Sequence, residues 1–314
     1  MPQRLRDPQF WLLCAAAVAL GIALAHPTAT LQRAAYDILL VVDITGSMNA
    51  RDYVSNDVPI SRLERTKLAA RELVADLPCR SRLGLAIFTE RRSFLLFEPV
   101  ELCGNFPAID AAIDALDWRM AWEGDSYVAQ GLYSAIDLAH GARADLIFLT
   151  DGHEAPPLPT EDATSFAGEK GQVVGLIVGV GGLATVPIPK FDERGHPAGF
   201  WSMSDVPQEN RSGLPPPDAA SRAGYNPRNA PFGGEAAVGT EHLTSVREEH
   251  LQKLASITGL SYLRLRDGED LSSAFVRQSH PRLLRSTTDL GVVPTAVALA
   301  MLGLFYAMPL FRRA

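Results

Sequence analysis

The stretch 37–48 reads DILLVVDITGSM and decides the fold. Residues 37–42 (DILLVV) form the apolar run that a strand buried on both faces of a sheet requires. This run leads straight into D-I-T-G-S at 43–47, a turn that offers one carboxylate and two hydroxyl groups. Because ligands bind beyond the carboxyl ends of the strands in doubly wound sheets, this turn is the first candidate for a binding site.

Strands and helices alternate along the middle of the chain. The patterns predict strands at 83–88, 94–97, 145–149, 172–180 and 260–265, and helices at 62–77, 107–116, 127–140, 244–258 and 269–277. The polar tip at 89–92 predicts a hairpin, which places one antiparallel strand at the edge of the sheet. The remaining order predicts an α/β fold over 36–280, with a doubly wound, mostly parallel sheet covered by helices on both faces.

One segment of this domain departs from the alternation. Residues 182–240 are rich in Pro, Gly and Asn and have almost no hydrophobic periodicity. A loop of this length is usually functional or disordered. We therefore expect a loop-rich surface insertion before the helix at 244–258.

Both ends of the chain are apolar. Residues 10–25 and 290–311 hold no charged side chain, and a basic pair lies on the outer side of each run. The runs predict two transmembrane helices, at 10–26 and 290–311, that flank the α/β domain. The tips at 1–9 and 312–314 are then cytoplasmic, and the middle of the chain is periplasmic.

Other interpretations of these ends stay open. The first run also fits a signal peptide cleaved after Ala25, and both runs fit buried core helices.

The net charge of the chain bears on the kind of partner that it can bind. With 29 Lys and Arg against 36 Asp and Glu, the 314-residue chain has a net charge of −7, which argues against a nucleic-acid-binding surface.

Two more segments bring oxygen atoms to the edge of the sheet that holds Asp43. The strand at 145–149 ends in Thr-Asp-Gly, so that Asp151 lies at this edge. The loop before the helix at 127–140 adds the hydroxyl of Ser126, with Asp125 as the alternative side chain. Oxygen ligands of this kind suit a hard cation such as Mg²⁺. Capping of helices by the two aspartates is the other interpretation.

On these three elements the chain resembles a von Willebrand factor A (VWA) domain with its metal-ion-dependent adhesion site. In that family a D-x-S-x-S turn, a Thr before a helix and the Asp of a T-D-G sequence share one divalent ion. The resemblance implies the metal ligands Asp43, Thr45, Ser47, Ser126 and Asp151. Thr45 and Ser126 depart from the family pattern, although both keep a hydroxyl group.

A narrower resemblance concerns function. The apolar ends and the Val-Pro-Ile-Pro at 186–189 look like bacterial membrane-anchored VWA proteins of the Bat (aerotolerance) type. Residues 43–53 are similar to Mxa-type proteins, which are encoded with periplasmic methanol dehydrogenase and are implicated in its maturation, including its calcium loading.

These resemblances imply an inner-membrane protein that binds an acidic residue of a partner through Mg²⁺, Ca²⁺ or Mn²⁺. The expected partner is methanol dehydrogenase or another maturation protein, with a MoxR-type ATPase as a further partner. The alternatives are an envelope-stress or aerotolerance protein and a structural subunit of a membrane complex. We expect no enzymatic activity, because the sequence holds no nucleophile elbow, Walker loop or zinc-binding histidine motif.

Other residues, some near the predicted site and two cysteines at the opposite end of the sheet, have simpler interpretations. Cys79 and Cys103 flank the hairpin and return to one end of the sheet, so that they form a disulfide in an oxidising compartment or stay as two free thiols. His153 and Glu154 follow Asp151 and are expected on the solvated rim of the metal site. Residues 51–53 are expected in a solvated turn near the same edge.

Overall fold

The computed structural model describes residues 8–121, 124–158, 165–192, 194–206, 208, 218–221, 239–268 and 270–311. They belong to two compact units. One unit lies within residues 35–282, and the other combines residues from 1–34 with residues from 283–314.

The larger unit is built on a six-stranded sheet. Its strands are β2 (Asp37–Asp43), β5 (Arg82–Thr89), β6 (Arg92–Glu101), β7 (Asp145–Thr150), β8 (Gly175–Val180) and β13 (Ser261–Leu265). The order across the sheet is β13-β8-β7-β2-β5-β6, and β6 pairs antiparallel with β5 while the other pairs are parallel. The prediction of a mostly parallel sheet with an antiparallel edge strand is confirmed. Strands β3 (Tyr53–Ser55) and β4 (Val58–Ile60) form a separate antiparallel pair.

Helices cover both faces of this sheet. They are α2 (Arg62–Asp76), α3 (Leu102–Asp114), α4 (Val128–Ala142), α5 (Glu248–Thr258) and α6 (Leu271–Gln278). On one face, Leu39 of β2 belongs to a core cluster with Leu132 of α4 and Leu251 of α5. On the other face, α2 contacts α3 and α6, and Leu40 of β2 is fully buried. Burial on both faces explains the continuous apolar run of β2.

Several boundaries differ from those that the sequence predicts, and two of them have a clear structural reason. The fifth helix begins at Glu248 rather than at 244, because Leu243–Thr244 forms the short strand β12, paired with β9 (Val186–Pro187). Strand β8 begins at Gly175 rather than at 172. At that glycine, φ is +155° and an added Cβ would lie 1.9 Å from the carbonyl oxygen of Leu146, so that only glycine fits.

The predicted insertion at 182–240 contains regular structure in its described part. Besides β9, it holds an antiparallel pair of strands, β10 (Pro189–Phe191) and β11 (Pro197–Phe200). We call residues 189–200 the insertion hairpin. The remainder of the predicted insertion at 209–217 and 222–238 lies outside the described residues.

The smaller unit contains both apolar ends of the chain. Its helices are α1 (Pro8–Leu24) and α7 (Val292–Phe311), which contact each other, and its strands β1 (Thr28–Ala35) and β14 (Arg282–Asp289) form a two-stranded sheet. The sequence patterns gave no indication of these two strands. In the part of the chain that the structure describes, no helix combines the length and apolar content needed to cross a bilayer. The two predicted transmembrane helices are therefore unsupported.

A disulfide closes the edge of the sheet opposite the carboxyl end of β2. It joins Cys79, which precedes β5, to Cys103 in the first turn of α3, with 5.3 Å between their Cα atoms. Glu101 holds the same corner together, because its carboxylate accepts hydrogen bonds from the backbone N–H groups of Arg80, Cys103 and Gly104.

Replacing Cys79 and Cys103 together by alanine should lower the free energy of unfolding by roughly 3 kcal/mol, because the bridge closes a loop with a sequence separation of 24. Urea unfolding of the full chain without reductant measures this difference. Cys14→Ala is the control, since Cys14 forms no disulfide, and it should leave the unfolding midpoint unchanged. Equal stabilities of the wild type and the double variant would contradict a stabilising role for the bridge.

Candidate metal centre

Asp43 links the ends of two neighbouring strands. It is the last residue of β2 and is fully buried. Its Oδ1 accepts hydrogen bonds from the backbone N–H of Thr45 at 2.8 Å and from the Thr45 hydroxyl at 2.7 Å. Its Oδ2 accepts one from the hydroxyl of Thr150, at the end of β7, at 2.6 Å. The carboxylate is therefore held in one orientation by both strands.

The turn after Asp43 brings the predicted hydroxyl ligands together. Residues Gly46–Asn49 form one turn of 3₁₀ helix, which folds Ser47 back towards Thr45. The two hydroxyl oxygens lie 3.5 Å apart, and both side chains are buried. The spacing of alternate residues thus places a carboxylate and two hydroxyl groups at one point, as the sequence predicts.

Asp151, the second predicted carboxylate, lies at the end of β7 and is fully buried. Its Oδ1 accepts a hydrogen bond from the backbone N–H of His153 at 3.0 Å. Its Oδ2 accepts one from Nη1 of Arg62 at 2.6 Å and one from the Thr244 hydroxyl at 3.2 Å. The Ser47 hydroxyl also helps to lower the pKa of this carboxylate, which relates the two halves of the site.

Arg62 belongs to the site although no pattern in the sequence predicts it. It is the first residue of α2, behind a capping box formed by Ser61 and Glu64, and its side chain is fully buried. Its guanidinium group also binds Asp52, with Nη2 at 2.7 Å from Oδ2. Gly181 packs against the same group, since an added Cβ would lie 2.7 Å from Nε of Arg62.

The two aspartates have opposite electrostatic environments. Burial, followed by the negative charge of Asp151, raises the pKa of Asp43 to about 7 despite its hydrogen bonds. Burial also acts to raise the pKa of Asp151, but the positive charge of Arg62 and several hydrogen bonds outweigh it and hold that pKa below its usual value. With Asp52 counted, three carboxylates and one guanidinium group carry a formal charge of −2 when all are ionised, which a divalent cation would balance.

Ser126 provides the test of whether the site fits a cation. The backbone of Ser126 is fixed by two hydrogen bonds with Ala155, at 2.6 and 2.8 Å. Its side chain is buried, yet its Oγ has no hydrogen-bond partner among the described residues. A buried polar atom without a partner costs free energy unless something satisfies it. A cation would do so, and the residues present therefore fit one.

A cavity of about 370 Å³ brings these groups together. Its lining includes Thr45, Ser47, Ser126 and the half-exposed Asp125, whereas Asp43 and Asp151 do not line it. Within the described ranges, no group of three or more His, Cys, Asp or Glu side chains is arranged to hold a metal ion. An ion at this position would therefore depend on the hydroxyl groups.

Three residues near the site were expected in solvent and are instead structural. Only 2% of His153 is exposed, and Glu154 is buried with its carboxylate accepting the backbone N–H groups of Val128 and Ala129. Asp52 binds Arg62 rather than facing solvent. The only local signal for this role of Glu154 is the start of α4, where the first two backbone N–H groups have no partner within the helix. That signal points to Glu154 only once the fold brings the two segments together.

Arg62→Lys should lower the free energy of unfolding by about 1–3 kcal/mol, because an ammonium group cannot serve both carboxylates as the planar guanidinium group does. Urea denaturation of the full chain measures the effect. Arg71→Lys is the matched control, since Arg71 lies on the same helix in a partly exposed pair with Asp110 and should change little. Equal effects of the two substitutions would show that the buried pair does not stabilise the fold.

Several residues of the candidate metal centre lie within a region that matches a known protein family. Residues 38–153 match the model of the von Willebrand factor type A domain family, so that the match includes Asp43, the turn after it and Asp151. No curated protein matches the chain.

Several solved structures are similar to the chain, among them two from Bacteroides species. One is an aerotolerance-related membrane protein from Bacteroides fragilis, with 16% identity, a TM-score of 0.46, and coverage of 77% of this chain and 98% of that one. The other is BatB from Bacteroides thetaiotaomicron, with 17% identity, a TM-score of 0.43, and coverage of 85% and 99%.

Proposed function

We propose that this chain, in which residues 38–153 are a von Willebrand factor type A domain, binds a partner protein through a divalent cation. One observation carries the proposal. The hydroxyl oxygen of Ser126 is buried without a partner among the described residues, and it lines the same cavity as Thr45 and Ser47. The buried carboxylates of Asp43 and Asp151 lie next to these hydroxyl groups.

The proposed ligands are Asp43, Thr45, Ser47, Ser126 and Asp151, with Asp125 as a further oxygen source at the cavity. When bound, Mg²⁺, Ca²⁺ or Mn²⁺ would offer a coordination position to an acidic side chain of the partner. The protein's part is to hold the oxygen atoms in place before binding. Thr150 orients the carboxylate of Asp43, and Arg62 keeps that of Asp151 ionised.

We propose a binding role rather than an enzymatic one. A general acid or base must reach the proton that it transfers. Asp43 and Asp151 are fully buried behind the cavity and hydrogen-bonded within the protein, which suits fixed ligands better than proton transfer.

Ser126→Ala should abolish most of the stabilisation that Mg²⁺ or Mn²⁺ gives to the full chain. A ligand at 100 times its dissociation constant stabilises a fold by about 2.7 kcal/mol, which thermal unfolding detects. Thr66→Val is the matched control, because the Thr66 hydroxyl is also buried without a partner in the described residues but does not line the cavity. The same Ser126 variant, immobilised as bait, should fail to capture periplasmic proteins that the wild type retains in Mg²⁺ and releases in EDTA.

Retention of partners by the wild type in EDTA, or undiminished metal stabilisation of Ser126→Ala, would contradict this function. The identity of the captured protein decides the biological role. Methanol dehydrogenase, or a MoxR-type ATPase with it, is the capture that a role in periplasmic maturation and metal loading requires. Capture of envelope-stress proteins favours an aerotolerance role, and capture of membrane-complex subunits favours a structural one.

We further propose that the smaller unit anchors the chain to the bacterial inner membrane, with the larger unit in the periplasm. Helices α1 and α7 carry large apolar side chains that are exposed, such as Val18 at 63% and Leu299 at 74%. Such a surface is unfavourable in water and marks an interaction with lipid or protein. The disulfide between Cys79 and Cys103 supports an oxidising compartment for the larger unit.

The double substitution Val18→Lys and Leu299→Lys should move the chain from the membrane fraction to the alkaline carbonate extract, because burying a charged side chain in an apolar environment is unfavourable. Leu283→Lys is the control, since Leu283 is 62% exposed in β14 of the same unit, outside the helices. Protease added to spheroplasts should digest the larger unit of the wild type. A wild-type chain that carbonate extracts completely would contradict the anchor.

A further inference from the structure

The cavity at the candidate metal centre has an aromatic wall that cation binding does not use. Trp118, Phe191 and Trp201 line it on the side of the insertion hairpin. The rings of Trp118 and Phe191 stack with 4.9 Å between their centroids and 24° between their planes. Each of these rings is only partly buried, so that apolar surface remains available inside the cavity.

The insertion hairpin is fixed in place by its own contacts. The backbone N–H of Trp201 donates to the carbonyl of Ile188 at 2.9 Å. Nζ of Lys190 lies 4.9 Å from the centroid of the Trp201 ring and 3.0 Å from Oδ1 of Asp205. Hydrogen bonds, first from the backbone of Ser202, lower the pKa of Asp205 to about 2, which keeps the pair ionised at neutral pH. A wall that is already ordered loses little entropy when it binds a ligand.

A second polar group in the cavity also lacks a partner. His153 lines the cavity and is 2% exposed. Its Nε2 lies 3.3 Å from Oε2 of Glu241, but neither Nε2 nor Nδ1 has a hydrogen-bond partner in the described part of the chain. A backbone amide of a bound peptide would supply one. Together with Ser126, this histidine indicates that the cavity suits a ligand that has both polar and apolar groups.

The charged groups around the cavity restrict the charges that a ligand can carry. Asp205 is paired with Lys190, and Oε2 of Glu241 lies 3.3 Å from Nε2 of His153, so that each carboxylate already has a neighbouring nitrogen within the protein. Asp125 lines the cavity as well and would repel a second acidic group on a ligand. A single carboxylate at the cation and an uncharged neighbour against the wall therefore fit best.

We propose that the partner presents a peptide segment in which an aromatic residue directly neighbours the acidic one, and that the aromatic side chain occupies this cavity. The inference rests on the proposed function, since the cation positions the acidic residue. A volume of about 370 Å³ accommodates one aromatic side chain beside the rings of Trp118, Phe191 and Trp201. Offset stacking on these rings favours an aromatic occupant over an aliphatic one.

The test uses the full chain in detergent with saturating Mg²⁺ and three capped peptides, Gly-Asp-Phe-Gly, Gly-Asp-Ala-Gly and Gly-Asn-Phe-Gly. The Asp-Phe peptide should bind roughly tenfold or more tightly than the Asp-Ala peptide, because a Phe side chain is removed from water. With 5-fluorotryptophan in the chain, ¹⁹F NMR should show shifts for Trp118 and Trp201 but not for Trp11. Phe191→Ala should reduce the affinity for Asp-Phe to that for Asp-Ala.

Phe200→Ala is the matched control, since Phe200 is on the same hairpin, is 60% exposed and does not line the cavity. Both variants should keep the thermal stabilisation by Mg²⁺, which shows that the fold and the cation site are intact. Equal, Mg²⁺-dependent binding of Asp-Phe and Asp-Ala would overturn the aromatic occupant and leave the proposed function standing. Equal binding of Asp-Phe and Asn-Phe, or binding that EDTA does not reduce, would overturn the proposed function itself.

Discussion

The ion pair between the buried guanidinium group of Arg62 and the carboxylate of Asp151 is the contact on which the candidate metal centre depends. Neither side chain has any exposed surface, so each charge would be very unfavourable without the other. The same guanidinium group binds Asp52, ten residues before it in the chain, and Thr244, 182 residues after it. One side chain thereby holds together the start of α2, the end of β7 and the segment before α5.

The ion pair also creates the electrostatic difference on which the proposed cation binding relies. Arg62 stabilises the ionised form of Asp151, and that retained negative charge helps to raise the pKa of Asp43 to about 7. Ionised Asp43 is thus unfavourable in the metal-free protein. A group whose pKa is higher in the folded than in the unfolded state costs stability as the pH rises from the unfolded pKa of about 4 to the folded one. A divalent cation would remove this cost by satisfying the carboxylates.

The sequence predicted the parts of the fold and site that leave a local signature. The apolar run 38–42 and the turn that follows it gave both β2 and the grouping of Asp43, Thr45 and Ser47. Arg62 was missed because its partner Asp151 lies 89 residues away, and its local context reads as an ordinary helix start. One signal was present: a basic side chain in the first turn opposes the helix dipole and needs another reason to be there.

The insertion hairpin shows why the remaining part of the site was not predictable. Its strands are three and four residues long and contain Pro and Gly, so no hydrophobic alternation reveals them. They are ordered by contacts with distant segments, as in the stacking of Phe191 on Trp118, 73 residues earlier in the chain. The ligands proposed for a cation thus come from the regular edge of the sheet, where the sequence pattern is strong. The aromatic surface beside them comes from an irregular segment, which can change its side chains without disturbing the sheet. The proposed cation binding and the proposed partner selectivity are therefore assigned to separate parts of the structure that meet in one cavity.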